Sequence, residues 1–292
     1  MKVRRRNALQ SIYHAILGLL PDEWTIQILY YRTYGRFANL RDPRSLSEKI
    51  NWRKLHQRDP RFTLYADKAA VKAEIARLIG PEHVIPTLWT GERPEDIPFD
   101  RLEPPYVVKV NHGYGSNILV RRREDADIRK IRAELARNLR HPHGRLTRQW
   151  AYYDIPRRIV IERMLDIYGT AAPEDYKFFV YHGRARFVQV IVDRWGKNLV
   201  ACYDRDWNKM RAPWNRRDIE QPVPKPPFLE EMITIAEKIG ASFDFVRVDL
   251  YHASNTVYFG EATFYHSAGY SAVITGDLDR VFGEPWNISP HE

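Results

Sequence analysis

The residues best suited to chemistry lie within residues 245–264, where two runs rich in Val, Tyr and Phe flank a His-Ala-Ser-Asn break. This pattern predicts an antiparallel β-hairpin. Side chains alternate along a strand, so Arg247 and Asp249 share one face of the first strand. Glu261 and Thr263 share one face of the second strand. All four point the same way if the connection is three or five residues long.

Such a face would offer two carboxylates and one guanidinium. Mg²⁺ takes oxygen ligands such as carboxylates, and a guanidinium pairs well with phosphate. The hairpin could therefore hold Mg²⁺ together with the phosphates of a nucleotide. The solvated outer face of an ordinary sheet would carry the same residue types, so other stretches of the chain must decide between these two interpretations.

A second informative stretch, residues 105–121, predicts two short strands around a turn that contains glycine. Lys109 lies in the middle of the first strand, and His112-Gly-Tyr-Gly-Ser116 forms the turn. A turn of this kind can direct successive backbone N–H groups at an anion, with Lys109 close enough to pair with it. It is not a P-loop, because Gly-x-x-x-x-Gly-Lys-Ser/Thr is absent, and a plain hairpin turn would have similar glycines.

Three other charged residues stand out by their setting. Residues 65–80 predict one helix that ends at a glycine, and Lys68 lies in its first turn, where the helix dipole disfavours a cation. Glu162 lies in an apolar strand, where a carboxylate needs a nearby donor. Lys177 lies on the first strand of a tight hairpin whose turn is His182-Gly183.

A weaker pattern concerns pairs of aspartates. Asp204 and Asp206 have the Asp-x-Asp spacing with which glycosyltransferases hold a metal ion and a nucleotide sugar. The same spacing recurs at Asp125 and Asp127, and aspartate is common in turns. The spacing therefore has low specificity.

Composition and charge narrow the class of protein. The 292 residues are 44% hydrophobic and 28% charged, which fits a folded protein with a large core. The net charge of +9 indicates an anionic partner. No dense Lys/Arg stripe or nucleic-acid-binding motif occurs, so a nucleotide or an acidic substrate is favoured over nucleic acid. Cys202 is the single cysteine, which excludes a disulfide framework and favours a reducing compartment.

The first sixty residues are predicted to be helical, and Ser45 with Glu48 fits a capping box at a helix start. No convincing signal peptide is present, and the apolar run at residues 11–20 is too short to span a bilayer. With the basic residues 2–6, this run suits either an amphipathic helix on an anionic membrane or a helix packed on the protein body. The rest of the chain is strand-rich, so we expect an α+β enzyme that clasps a nucleotide between two sheets.

Six motifs occur in an order that resembles the ATP-grasp superfamily, and more specifically the TupA-like ATP-grasp family of bacterial polysaccharide biosynthesis. They are Ala66-Asp-Lys68, Val107-Val-Lys-Val-Asn-His-Gly-Tyr-Gly-Ser116, Ile159-Val-Ile-Glu162, Asp175-Tyr-Lys-Phe-Phe179, Val246-Arg-Val-Asp249 and Gly260-Glu-Ala-Thr263. The similarity covers roughly residues 35 to 270. It implies an α+β ATP-grasp fold in four segments: a helical N-terminal extension (1–60), an N-terminal lobe (61–104), a lid lobe with the Gly-bearing loop (105–160) and a C-terminal lobe with the metal site (161–292).

The resemblance also implies a set of site residues. Those implied to bind ATP are Lys68, Lys109, His112, Gly113, Gly115, Ser116, Glu162 and Lys177. Lys177 and Arg247 are the implied catalytic residues, and Asp249 and Glu261 are the implied Mg²⁺ ligands. Candidate contacts to the acceptor substrate are Arg194, His266 and Ser267. Thr263 departs from the family pattern, because most ATP-grasp enzymes have a metal-binding Asn at that position, and the helical extension departs from a Rossmann-like first lobe.

The implied activity is ATP- and Mg²⁺-dependent ligation of a carboxylate to an amine through an acyl phosphate. It would join an amino acid to a uronic acid or an acidic polymer. The implied location is the cytoplasm, with peripheral contact between the basic N-terminus and the inner face of the bacterial membrane. Two other functions stay open: a glycosyltransferase of polysaccharide synthesis, based on Asp204 and Asp206, and a membrane- or polyanion-binding module, based on residues 2–6 and the net charge.

Overall fold

A computed structural model describes residues 13–113, 115, 117–165, 175–192, 199–210, 219, 222–271 and 273–288. After a short helix at residues 13–19, the helices are α1 (Asp22–Tyr34), α2 (Leu46–His56), α3 (Arg61–Ala66), α4 (Val71–Ile79), α5 (Ile128–Arg140), α6 (Leu229–Gly240) and α7 (Asp277–Gly283). The strands are β1 (Thr87–Gly91), β2 (Tyr106–Val110), β3 (Ile118–Val120), β4 (Ile159–Arg163), β5 (Asp175–Tyr181), β6 (Arg184–Val192), β7 (Leu199–Asp204), β8 (Lys209–Met210), β9 (Phe245–Ala253) and β10 (Thr256–Thr263). None of the described helices is long and apolar enough to cross a bilayer.

The smaller sheet has the strand order β1-β4-β2-β3, and each neighbouring pair is antiparallel. Alternation along β2 buries Val108 in one cluster with Ile131 and Leu135 of α5. Lys109 therefore points to the opposite face of the sheet. Glu162 on β4 is in register with the residue two positions before Lys109, so both side chains lie on that same face.

The larger sheet has the strand order β10-β9-β5-β6-β7-β8 and is also antiparallel throughout. Helix α6 covers one face, where a Cβ on Gly240 would lie 2.4 Å from the side chain of Val180. On the other face, Phe179 packs edge-on against Phe282 of α7, and the Tyr181 hydroxyl donates to the Phe282 carbonyl at 2.6 Å. Further along the same strands, this apolar packing gives way to the charged side chains of the candidate site.

The predicted α+β class is confirmed by this mixture of helices and two antiparallel sheets. The capping box is also present: the Ser45 hydroxyl accepts from the Glu48 N–H, and the Glu48 carboxylate accepts from the Ser45 N–H. The hairpin turn at His182-Gly183 lies between β5 and β6, as the sequence predicts. The proposed segment boundaries do not coincide with the sheets, because β1 comes from segment 61–104 and β4 spans the boundary at residue 160.

The single helix predicted over residues 65–80 is wrong. Helix α3 ends before Asp67, and α4 begins at Val71. Between them the Asp67 carboxylate accepts from the backbone N–H groups of Ala69 and Ala70, at 2.8 and 3.2 Å. This aspartate can satisfy backbone donors outside a helix, and so it favours a turn. Lys68 consequently lies in a turn between two helices and not on a helical face.

Arg53 fastens α2 to the larger sheet. Its side chain is fully buried, with 0% of its surface exposed. The guanidinium donates to the carbonyls of Phe245 and Phe264, at 2.9 and 3.3 Å, and to the carboxylate of Asp244, at 2.5 Å. The planar group also lies over the ring of Trp286, 4.1 Å from its centroid. These contacts join the helical extension to both strands at the open end of the β9–β10 hairpin.

We expect Arg53→Met to lower the free energy of unfolding by roughly 3 to 5 kcal/mol, because it leaves Asp244 without its cation and two carbonyls without a donor. Urea unfolding followed by circular dichroism would measure the change. Arg44→Met is the matched control, since Arg44 is 75% exposed and pairs with Asp42 at the surface. It should change stability by no more than about 0.5 kcal/mol. Equal effects of the two substitutions would contradict the role given to Arg53.

Candidate active site

A β-bulge sets which face of β10 carries the acidic residues. The β9–β10 turn has only two residues, Ser254 and Asn255, whose φ angles are 48° and 59°. The condition of a three- or five-residue connection is therefore not met, and the shared face has another cause. The pairing shifts by one residue between Phe259 and Glu261, so that Glu261 lies opposite Asp249. Without the extra residue, a two-residue turn would place Glu261 on the opposite face of the sheet.

The bulged residue is Gly260, and the local packing explains why it is a glycine. A Cβ there would lie 2.6 Å from the ring of Tyr251 and 3.1 Å from the carbonyl oxygen of Asp249. A bulge brings an unpaired residue close to the neighbouring strand, where an added side chain would meet these atoms. Gly260 is thus both the extra residue of the bulge and the position where the close packing requires a glycine.

Arg247 lies at the centre of the cluster on this face. Its Nε and Nη2 donate to the two carboxylate oxygens of Asp249 at 2.6 and 2.7 Å, in a forked pair. Nη2 also donates to Glu261 Oε1 at 2.9 Å and to Thr263 Oγ1 at 3.1 Å, and Nη1 donates to His266 Nδ1 at 2.9 Å. The other three residues of the predicted face therefore meet at the Arg247 guanidinium.

Lys177 of β5 completes the cluster from the neighbouring strand. Its ammonium group donates to Asp249 Oδ2 at 2.5 Å and to Asp175 Oδ2 at 2.7 Å. Residues 175 and 177 share a face of β5, and Lys177 is in register with Asp249 on β9. Asp175 is fully buried and was not among the sequence candidates. Its position two residues before Lys177 on a strand was the signal that could have identified it.

The ionisation of the cluster follows from burial and from these cations. Burial disfavours a charged Glu261, but Lys68 and Arg247 outweigh it and hold the pKa of Glu261 well below its ordinary value. Burial, reinforced by the charges of Arg247 and Lys177, lowers the pKa of His266 well below its ordinary value. Because arginine can only donate, the neutral His266 accepts at Nδ1 and carries its proton on Nε2. That nitrogen lies 3.3 Å from the Ser267 hydroxyl.

A second charged group lies on the smaller sheet. Glu162 is 4% exposed and is held by two lysines: Lys109 from β2 contacts Oε2, and Lys72 from α4 contacts Oε1 at 2.6 Å. Lys72 also donates to the Ile85 carbonyl and to the Thr87 hydroxyl, each at 2.7 Å. Burial opposes ionisation of Glu162, but the two lysines prevail and lower its pKa. The donor required by the apolar setting of Glu162 is thus present.

Lys72 was missed in the sequence because helix position alone did not distinguish it. It follows Lys68 by four residues, a spacing that places two side chains on one side when both belong to a helix. Here only Lys72 lies within α4, at its second residue. What makes it part of the site is the contact with Glu162, which is 90 residues away in the sequence.

Lys68 joins the Gly-bearing loop to the cluster around Arg247. Its ammonium group donates to the Gly113 carbonyl at 2.7 Å and lies 3.5 Å from Glu261 Oε2. The fully buried Asn111 holds this region together: its Nδ2 donates to Asp67 at 2.8 Å and its Oδ1 accepts from the Arg158 N–H at 2.8 Å. The lysine, the Gly-bearing loop and the larger sheet therefore meet at one place.

The turn after β10 contains two of the predicted acceptor contacts. His266 is buried, and Ser267 follows it with a φ of 47°, in the left-handed region. Helix α2 supports the next residues: Asn51 Nδ2 donates to the Gly269 carbonyl at 3.0 Å, and Lys54 Nζ donates to the Ala268 carbonyl at 2.7 Å. The helical extension thus shapes the wall beside Arg247.

A model of the family "TupA-like ATPgrasp" matches residues 48–287. The chain belongs to the TupA-like ATP-grasp family. A comparison with curated proteins finds no match. The predicted family and ATP-grasp fold are thereby confirmed.

Among solved structures, an ATP complex of D-alanine–D-alanine ligase from Bacillus anthracis is 17% identical, covering 69% of this chain and 54% of that one, with a TM-score of 0.39. An L-amino acid ligase from Bacillus licheniformis is 12% identical, covering 71% and 45%, with a TM-score of 0.43. D-alanine–D-alanine ligase from Helicobacter pylori is 12% identical, covering 76% and 60%, with a TM-score of 0.44. This ATP-grasp chain thus matches about half of the length of these proteins.

The other residues predicted for the site are His112, Gly113, Gly115, Ser116 and Arg194. His112 is 2% exposed, and its ring centroid is 5.2 Å from that of His143. Gly113 touches the same histidine so closely that a Cβ would lie 2.3 Å from it, and Gly115 is exposed with a φ of 75°. Ser116 and Arg194 lie outside the residues that the structure describes.

The donor set fits Mg²⁺ and the phosphates of ATP. Asp249 and Glu261 supply carboxylate oxygens on one face, and Lys68, Lys177 and Arg247 supply cations around them. Thr263 donates to Glu261 at 3.2 Å and accepts from Arg247, so its hydroxyl orients charged neighbours. The two charged groups together contain five cationic side chains and four carboxylates, because Asp175 belongs to the first group and Lys72, Lys109 and Glu162 form the second. The net charge of these nine side chains is therefore positive.

The neutral state of His266 makes stability depend on pH. Its folded pKa is lowered from the ordinary 6.5, so the unfolded chain takes up a proton first on acidification. Stability conferred above pH 6.5 is then lost as the pH falls, by at most about 1.4 kcal/mol per pH unit for one group. His266→Gln keeps an acceptor for Arg247 without the titration, so urea unfolding from about pH 7 to pH 5 should show a shallower loss.

Ser267→Ala is the matched control, because it removes the neighbouring hydroxyl and keeps the imidazole. It should retain the pH dependence of the unmodified chain. If His266→Gln lost stability on acidification as steeply as the unmodified chain does, the neutral buried imidazole would be contradicted.

Proposed function

We propose that the chain is an ATP- and Mg²⁺-dependent carboxylate–amine ligase that works through an acyl phosphate. Its substrates would be an amino acid and a uronic acid or another acidic precursor of a surface polysaccharide. The observation that carries the proposal is the cluster of Arg247, Lys177, Asp249 and Glu261 within an ATP-grasp fold. Lys68 lies beside this cluster and pairs with Glu261. Cations and carboxylates gathered on one face suit the handling of phosphate and metal more than they suit a solvated surface.

The reaction has two balanced steps. A carboxylate oxygen of the acceptor attacks the γ-phosphorus of ATP, and ADP leaves. The amine nitrogen then attacks the carbonyl carbon of the acyl phosphate, phosphate leaves, and the nitrogen loses a proton. An enzyme speeds such steps mainly by positioning the reactants and neutralising charge.

The residues of this chain would divide that work. Lys68 and Lys109 would bind phosphate, and Lys177 and Arg247 would stabilise the charge on the transferred group. Mg²⁺, held by Asp249 and Glu261, would neutralise phosphate charge. Glu162 would lie beside the adenosine, with its own charge balanced by Lys72 and Lys109. The loop with His112, Gly113, Gly115 and Ser116 would cover the phosphates.

The acceptor carboxylate would bind beside the turn after β10. His266 offers a neutral N–H at Nε2, Ser267 offers a hydroxyl, and Arg247 lies 2.9 Å from the imidazole. Arg194 stays a candidate for the same role. A carboxylate placed here would lie against cations that also face the phosphates, which is the arrangement that the first step needs.

The glycosyltransferase alternative loses its support in the structure. Asp204 Oδ1 accepts from the N–H groups of Asp206 and Asn208, at 3.0 and 2.8 Å, so the first aspartate holds the turn between β7 and β8. In the other Asp-x-Asp pair, Asp127 accepts from the N–H of Lys130 at the start of α5. Both pairs have the local roles that aspartate commonly takes at turns and helix starts.

The activity can be tested directly with the purified chain, ATP, Mg²⁺, a mixture of amino acids and a uronic acid. We expect release of ADP and phosphate that requires both the carboxylate and the amine, and a conjugate with one new amide by mass spectrometry. Hydrolysis of a UDP-sugar without any need for ATP would overturn the proposal. Asp204→Ala should leave the ligase reaction intact.

Lys109→Met tests the nucleotide site. Glu162 would still be paired with Lys72, so the fold should persist while calorimetry shows ATP binding weakened by at least about tenfold, the effect of losing one charged contact of about 1.4 kcal/mol. Lys130→Met is the matched control, because Lys130 is exposed on α5 of the same lobe. If Lys109→Met bound ATP as tightly as this control, the assignment of Lys109 would be wrong.

A cytoplasmic location with peripheral membrane contact through residues 2–6 belongs to the same proposal. Those residues lie outside the described part of the chain.

A further inference from the structure

The helical extension has an exposed apolar surface. Of the eight large hydrophobic side chains that are exposed among the described residues, five lie between residues 16 and 37. They are Ile16, Leu19, Trp24, Tyr31 and Phe37, and we call them the outer apolar surface. Leu19 is 88% exposed and Trp24 is 67% exposed. Scattered apolar side chains are normal, but such a concentration in one short segment marks an interaction surface.

The surface belongs to a helical hairpin whose other side is already packed. The Thr25 hydroxyl donates to the Leu17 carbonyl at 2.9 Å, and the Arg32 guanidinium lies 4.5 Å from the centroid of the Tyr13 ring. These contacts place the helix at residues 13–19 against α1. The inner side of α1 is buried in one cluster with Trp52 of α2. The outer apolar surface is therefore not the side that the fold uses.

The members of the surface are arranged as neighbours along α1. Trp24 and Tyr31 are seven residues apart, which is two helical turns, so their side chains lie on one side of α1. The Tyr31 ring is 5.1 Å from the ring of Phe37, beyond the end of the helix. Leu19 lies just before α1, at the end of the preceding helix. The apolar side chains thus run along the whole length of α1.

Positive charge is concentrated in the same segment. Residues 1–44 contain eight Lys and Arg against three Asp and Glu, which gives +5 of the +9 net charge of the chain. Four of the eight cations are in residues 2–6, outside the described part, and of the other four Arg36 pairs with Glu48 and Arg44 with Asp42. Of the three acids, Asp22 pairs with Arg148 and Asp42 pairs with Arg44. Glu23 is exposed beside Trp24 and opposes the trend. The segment nevertheless combines exposed aromatic and aliphatic side chains with most of the surplus cations.

We infer that the outer apolar surface binds to an anionic lipid bilayer. Trp and Tyr favour the boundary between water and lipid, Leu and Ile enter its apolar side, and Lys and Arg are attracted to anionic headgroups. A second copy of the chain fits less well, because two chains that each carry a net charge of +9 repel each other. The inference does not depend on the ligase reaction.

Contact with lipid here would also orient the candidate site. The Tyr34 hydroxyl, at the end of α1, donates to the Ser271 carbonyl at 3.4 Å and lies 2.8 Å from the Ser47 hydroxyl. Ser271 follows the turn that contains His266 and Ser267 by a few residues. The surface and the proposed acceptor wall are therefore parts of one packed unit, which suits an acceptor carried by a lipid.

Vesicle flotation tests the inference with the full chain. Vesicles of phosphatidylcholine alone are compared with vesicles that also contain phosphatidylglycerol. The unmodified chain should float with the anionic vesicles, and added salt should weaken the binding. The double substitution Leu19→Glu and Trp24→Glu should weaken binding by at least about tenfold, because it removes apolar contact and adds negative charge.

Leu88→Glu and Ile128→Glu are the matched controls, since these residues are 37% and 38% exposed and lie on the smaller sheet and on α5. They should bind like the unmodified chain. Circular dichroism verifies folding, and if the double variant fails to fold, Leu19→Ser and Trp24→Ser take its place. No flotation of the unmodified chain, or equal flotation of controls and variants, would overturn the inference. So would a dimer in light scattering that the double substitution dissociates, since a second copy would then cover the surface.

Discussion

One buried guanidinium decides how the candidate site is built. Arg247 is 7% exposed and binds Asp249, Glu261, Thr263 and His266 at once. A buried charge without partners would be costly, so these groups must converge on it from two strands and the turn that follows. The carboxylates and cations pair with one another. In the function proposed above, these pairs would be exchanged for contacts with phosphate and metal.

The helical extension performs a structural task that its sequence did not reveal. Arg53 ties α2 to both strands at the open end of the β9–β10 hairpin, and Asn51 and Lys54 of the same helix donate to carbonyls of the turn after β10. Lys54 is fully buried, and burial lowers its pKa well below the ordinary value. The extension is thus part of the body of the ATP-grasp unit, and its contacts lie where the proposed acceptor would bind.

Local patterns in the sequence predicted the elements well and their junctions poorly. Alternation correctly placed Arg247 with Asp249, and the apolar setting of Glu162 correctly required a donor. The helix predicted over residues 65–80 failed because helical spacing does not register the competition of Asp67 for backbone donors. Asp175 had a local signal, its position two residues before Lys177 on one strand. Lys72 was missed because its role depends on Glu162, which the fold brings to it from far along the chain. Contacts of that range carry no local signal.

Because of the bulge at Gly260, the number of residues between Asp249 and Glu261 determines which face of the hairpin carries the acidic side chains. Between Asp249 and Glu261, two features compensate each other. The turn is one residue shorter than the three-residue turn that would place both carboxylates on one face, and the bulge adds one residue to β10. Any change of one residue between them would send Glu261 to the face covered by α6. A turn lengthened by one residue with Gly260 removed would bring it back. Relatives could therefore differ in turn length and in the presence of this glycine and still present the same carboxylates, provided that the two changes occur together.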